Sequence, residues 1–150
     1  MKLPGDLEPN ILQAEQLFAR VMELIAAFDN AVDSSDESKV NDVINQINTI
    51  TNHLVDREDL DEYWGHTSQE DLAFRLALPE PLGVTSVSPQ DIIEIKKRIE
   101  LLGECNREEE EKISKYLVDQ KVNVAHVLIQ HHYEPLLEIY DSSSRRVFYL

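Results

Sequence analysis

The sequence predicts an all-α fold, a single-domain helical bundle built on an N-terminal antiparallel helical hairpin, and three observations carry that reading. Apolar residues recur at alternating spacings of three and four over long stretches, which is the period of one face of an α-helix. Only four glycines and six prolines are present, and long stretches lack both, unlike the turn-rich texture of sandwiches and barrels. At 150 residues and 42% hydrophobic content the chain is long enough to bury one core and short for two.

The first helix is expected over residues 8–33, where Ile11, Ala14, Phe18, Val21, Ile25, Phe28 and Val32 form one stripe and Leu17, Met22 and Leu24 widen it. Ser34 stands three residues before Glu37, the spacing of a capping box, and Val40, Val43, Ile47, Ile50 and Leu54 repeat the stripe, so a second helix is expected over 35–55. The short connection "DSSD" implies that the two helices lie antiparallel with their stripes facing each other. The same heptad-like spacing would let two copies pair as a four-helix bundle, so a homodimeric structural or adaptor domain stays open.

Thr67, with Glu70 at the third position, predicts a short helix over 68–78 that ends at Pro79 and Pro81. Ser88, Pro89 and Asp91 form an N-terminal signature for a helix over 89–103, which would bury Ile92, Ile95, Ile99 and Leu102 and stop at Gly103. Asn106 is the expected cap of a helix over 107–119 that docks Ile113, Tyr116 and Leu117. Its acidic run, Glu108 to Glu111, sits in the first turns, where the helix dipole favours negative charge. Asn123 caps a helical "NVAHVLIQHHY", and the last stretch reads as a helix with an extended, docked end or as a hairpin turning at Ser142 to Ser144, the former being the better fit.

Composition narrows function. No apolar run approaches the ~20 residues of a membrane span, and "MKLPGDLEPN" lacks the basic and apolar regions of a signal peptide, so a cytoplasmic protein is expected. Cys105 is the lone cysteine, which rules out an internal disulfide and a cysteine zinc cage. The formal net charge is -15, and phosphate binding needs clustered Lys and Arg, so nucleic acid is not an expected partner. The acid is concentrated: residues 1–75 carry 5 basic and 16 acidic side chains, residues 76–150 carry 9 and 13.

Signatures of known chemistry are missing. G-x-S-x-G, the P-loop and G-x-G-x-x-G do not occur. His126, His131 and His132 fall about 140° and 240° apart around an α-helix and would not all face one ion. His53 and His66 flank the acidic block within range of Asp56 or Asp61, but no spacing rule joins them. No catalytic residue, metal site or cofactor is therefore expected.

Two resemblances bear on function. Glu108 and Glu111 form E-x-x-E, and Glu138 and Asp141 form E-x-x-D 26 intervening residues later, although Pro135 and "DSSS" read as breaking the second helix. This resembles the all-α nucleotide pyrophosphohydrolases of the MazG type, and that resemblance implies an enzyme in which these four carboxylates would hold Mg²⁺. Trp64, "HTSQEDLA", a Pro-x-Pro break and "SPQDIIEIKKRI" leading into an acidic helix, roughly residues 59–118, resemble small bacterial helical proteins encoded as protective partners of toxins. That resemblance implies an immunity or antitoxin-like protein that binds one toxin, covers its active surface and performs no reaction.

Charge leads to the same expectation by a separate route. Toxins that attack nucleic acid must be basic to hold phosphate, so an acidic face competes for that surface. The candidate partner-binding residues are Asp56, Glu58, Asp59, Asp61 and Glu62, set against one Arg57, together with Tyr63 and Trp64, with Glu70 and Asp71 extending the block. The acids would steer a basic partner in, and the aromatic pair would either anchor it or plug the open end of the hairpin.

Overall fold

The computed structural model describes residues 3–62, 67–79, 84, 86–104 and 107–148. A 3₁₀ turn at Gly5–Leu7 precedes α1 (Ile11–Asp33), α2 (Glu37–Thr51), α3 (Arg57–Glu62), α4 (Gln69–Ala77), α5 (Pro89–Gly103), α6 (Arg107–Asp119), α7 (Val124–Leu128), a π-helical turn (Ile129–Tyr133) and α8 (Glu134–Phe148). The fold is all-α, and no strand occurs among the described residues. Helix α1 is the spine: Ala14, Phe18, Val21, Leu24, Ile25, Phe28 and Ala31 are buried, and it packs against α2 on one side and α4 on another. The α1 stripe is thus buried within the chain's own core.

Local side-chain chemistry sets most boundaries. Ser88 accepts the Asp91 N–H with Pro89 in the first turn, and Asn123 accepts the His126 N–H, as their spacing requires. Two expected caps lie elsewhere. Ser34 is the C-cap of α1; Ser35 turns left-handed at φ 55, Asp36 N–H reaches back to the Ala31 carbonyl, and Asp36 then caps α2 by accepting from Lys39 N–H. In α4 it is Ser68, not Thr67, that accepts the Asp71 N–H. The Asn106 cap and Cys105 lie outside the described residues.

Three departures from regular helix alter where side chains point. Helix α2 ends at Thr51 with Asn52 left-handed at φ 58, so Leu54 leaves the expected stripe and is 96% exposed. Helix α6 is broken at Ser114, whose backbone is extended; its hydroxyl accepts Leu117 N–H as an internal cap and donates to Glu15 on α1. The break lets Leu117 bury while Tyr116 sets its ring edge-on to Phe18 at 6.1 Å. Finally, Pro135 has no N–H to return to the His131 carbonyl. The chain widens to a π-turn just before it, with Glu134 N–H bonding the Ile129 carbonyl, and helix resumes through Ser142 and Ser144 to Phe148. Neither the hairpin nor an extended end beginning at these serines is formed, and Glu138 and Asp141 stand on a helix after all.

Candidate functional site

The acidic block is built as a short helix on a clamped turn. Asn48 on α2 donates its side-chain N–H to the Val55 carbonyl at 2.9 Å and accepts the Val55 N–H at 2.9 Å, holding the connection after left-handed Asn52. His53 is buried, and its Nε2 lies 3.0 Å from the Leu78 carbonyl. Asp56 and Asp59 then form a reciprocal capping box, each carboxylate accepting the other's backbone N–H at 2.9 and 3.0 Å. Leu60 is 1% exposed and pins α3 to the core, so its acidic residues face outward.

Asp56, Glu58, Asp59, Asp61 and Glu62 are all exposed, but they do different things. Asp56 and Asp59 start the helix, and Asp61 lies 3.6 Å from Arg57, which also pairs with Glu37. Glu58 and Glu62 form no hydrogen bond or ion pair among the described residues. Five acidic side chains thus crowd the face, with one arginine to offset them. Tyr63 and Trp64, along with His66, lie outside the described residues.

Two adjoining depressions meet this face. One, of about 270 Å³, is lined by Asp59 and Glu62 from α3, Thr67, Asp71 and Arg75 from the α4 region, and His126, Gln130 and His131 from α7 and the π-turn. The other, of about 240 Å³, surrounds Leu54 with Asn52, Val55 and Leu76 and shares Asp59 and Arg75 with the first. Asp71 accepts the Asn123 N–H at 2.8 Å, tying α4 to the start of α7. Arg75 is exposed and makes no ion pair among the described residues.

The π-turn brings His126 and His131 into one groove. An α-helix would set residues five apart about 140° from each other, but a wider turn brings them nearer the same side. Burial, followed by the nearby charges of Arg75 and His126, pushes the His131 imidazole down to about 4, so it is neutral at pH 7. His132 turns inward, is buried, and places Nε2 2.7 Å from the Leu7 carbonyl.

The carboxylates of the pyrophosphohydrolase resemblance do not converge. Glu111 is held by Arg107 at 3.2 Å, and among the described residues no group of three or more His, Cys, Asp or Glu side chains is placed to hold a metal ion. No helix among them is long and apolar enough to cross a membrane. Comparison with family models, characterised proteins and solved structures gave no match to this chain.

Sequence reasoning missed two components of the site. Leu54 continues the apolar spacing of α2 and reads as core, yet it is exposed and lines the depression that shares Asp59 with the acidic groove. His126, His131 and Arg75 carried no motif, and only the fold places them opposite Asp59 and Glu62.

Proposed function

We propose that this domain is an acidic binding module that neutralises a basic protein partner, in the manner of an immunity protein that covers the active surface of a bacterial toxin such as a nuclease. One observation carries the reading: an exposed leucine, Leu54, stands beside a capped helix, Asp56 to Glu62, whose five acidic residues are exposed and offset by one arginine. Apolar anchors ringed by charge are the arrangement in which electrostatics sets the encounter rate and a few buried side chains set residence time. Self-association through this face would oppose like charges, so the complementary surface is basic rather than a second copy. A toxin that grips phosphate presents such a surface. Asp59 and Glu62, reaching into the groove opposite Asp71, give lysine or arginine side chains of the partner a place to enter.

The test is association kinetics against a panel of basic bacterial nuclease-toxin domains, with lysozyme and cytochrome c as basic proteins lacking a matched surface. One toxin domain should bind far more tightly than either control and lose nuclease activity on binding. The Glu58→Gln, Glu62→Gln double variant should slow its association about tenfold at low salt and flatten the salt dependence, because both carboxylates add to the field without holding the fold together. Binding to the panel no tighter than to lysozyme would refute the proposal. A tight complex whose association is unchanged in the double variant would remove α3 from the interface.

A further inference from the structure

A cavity elsewhere on the molecule shares no residue with the acidic face. It has a volume of about 340 Å³ and lies between the chain entering α1, the end of α5, α6 and the π-turn. Ile11, Leu101, Leu102, Ile113 and Leu128 supply its apolar wall, and Glu8, Arg98 and Tyr133 supply a polar end. Gaps between helices of a bundle, mostly apolar with a few convergent polar groups, are where small ligands bind. Taking about 30 Å³ as the liquid share of one water, the space suits a molecule of about ten non-hydrogen atoms. The charges of the lining balance: Arg98 donates to both oxygens of Glu8, at 2.6 and 3.1 Å, and Lys112 donates to Glu109 at 3.1 Å. A charged head would enter without an opposite charge in excess to meet it and would lose its water, so the site favours an uncharged molecule.

Hydrogen-bonding capacity selects its head group. One nitrogen of Arg98, Nη1, donates to Glu8 Oε1 at 2.6 Å and to Tyr133 Oη at 3.2 Å, so the two oxygens stand close together. No hydrogen bond joins them to each other among the described residues. Tyr133 is 3% exposed; its hydroxyl oxygen accepts from Arg98, while its own proton has no acceptor among those residues. Burial acts first on this phenol and pushes it up, so the proton stays on the oxygen at pH 7. Glu8 Oε1 receives only the Arg98 bond among the described residues and keeps a lone pair, whereas Oε2 takes both Arg98 and the Leu3 N–H, the latter at 2.7 Å. Burial pushes the Glu8 carboxyl up, but the hydrogen bonds from Arg98 and from the Leu3 N–H, with the Arg98 charge, outweigh it and keep Glu8 ionised, able only to accept. The polar end thus offers one donor beside one acceptor. A hydroxyl answers both, because it accepts and donates through one atom. An ammonium cannot accept from Tyr133, a carboxylate cannot donate to Glu8, and a ketone meets Tyr133 alone.

We infer that this cavity is a binding site for a small aliphatic alcohol, its hydroxyl accepting from Tyr133 and donating to Glu8 and its hydrocarbon chain among Leu102, Ile113 and Leu128. The probes are 1-octanol, 2-octanone, octylamine and octanoate, equal in carbon count and differing in head group. They are titrated by calorimetry and by methyl chemical shifts, at high ionic strength to suppress loose attraction to the acidic surface. 1-Octanol should bind about tenfold or more tighter than either charged probe. It should bind about fivefold tighter than 2-octanone, which lacks the bond to Glu8, and the shifts should centre on Leu102, Ile113 and Leu128. Tyr133→Phe keeps the ring and removes the donor, so it should weaken 1-octanol and 2-octanone alike, by about fivefold. Ranking the four probes on the unaltered protein needs no variant to fold. Equal binding of 1-octanol and 2-octanone, a charged probe as tight as the alcohol, shifts centred on other residues, or no binding by any of the four would overturn the assignment.

Discussion

Asn48→Ala isolates the device that holds the acidic helix in place. The side chain makes two hydrogen bonds to the Val55 backbone, each 2.9 Å and part-buried, across the left-handed turn at Asn52, where Thr51 adds a longer one by accepting the His53 N–H at 3.3 Å. Each bond contributes about 0.5–1.5 kcal/mol net, so the pair holds the turn by about 2 kcal/mol. What remains to fix α3 is the burial of Leu60, worth about 2 kcal/mol, its own capping box and the exposed Arg57 pair with Glu37 of α2, a pair of the surface kind that contributes little. The variant should therefore release α3 locally without unfolding the bundle, whose spine is α1 with α2 and α4. About 2 kcal/mol corresponds to roughly a thirtyfold increase in local opening. Native-state hydrogen exchange reads this directly: the Leu60, Asp61 and Glu62 amides should exchange about thirtyfold faster, and amides of α1 between Val21 and Ile25 should change little. Unaltered exchange in α3 would show that the clamp is dispensable. An equal acceleration in α1 would show that α3 does not open as a separate unit.

Leu54→Ser should leave the melting temperature unchanged, since the side chain is 96% exposed, while speeding dissociation of the partner by tenfold or more; a drop in melting temperature would assign Leu54 a structural role. Acid should destabilise the fold in a defined window. His131 and His132 are lowered from 6.5, His131 to about 4, both through burial first, so between those limits the unfolded chain binds more protons than the folded one. Their contribution is complete above pH 6.5 and lost as pH falls toward 4, so the urea midpoint should be level from pH 8 to about 6.5 and decline from there to pH 5, a decline that His131→Gln should flatten. A midpoint level throughout would contradict the burial of both rings. Arg98→Met removes the guanidinium that Glu8 and Glu94 share, and with side-chain exposures of 19%, 29% and 13% for the three, the cost should be about 2–3 kcal/mol rather than the larger figure of a fully buried pair. Adding Glu8→Gln should return part of that loss in denaturant titration; an additive further loss would mean that the two side chains do not act as a pair.

The sequence by itself determined the class of fold, the stripe of α1 and the boundaries of α5 and α6, because these follow from interactions within one helical turn. Ser88 and Asn123 cap helices by bonding an N–H three residues on, and Phe18, Val21, Ile25 and Phe28 share a face because of the helical pitch. It also placed Asp56, Glu58, Asp59, Asp61 and Glu62 on the surface, since five carboxylates within seven residues have no affordable burial. What the tertiary structure alone decided begins where a regular pitch is interrupted. A left-handed Asn52 ejects Leu54 from a stripe whose spacing includes it, an internal Ser114 cap breaks α6 against Glu15, and the π-turn before Pro135 brings His126 and His131 to one groove. Neither the pairing of Arg98 with Glu8, 90 residues away, nor the cavity beside it has any trace in local spacing. Such contacts depend on which helices the core draws together, and periodicity within a single helix carries no record of its neighbours.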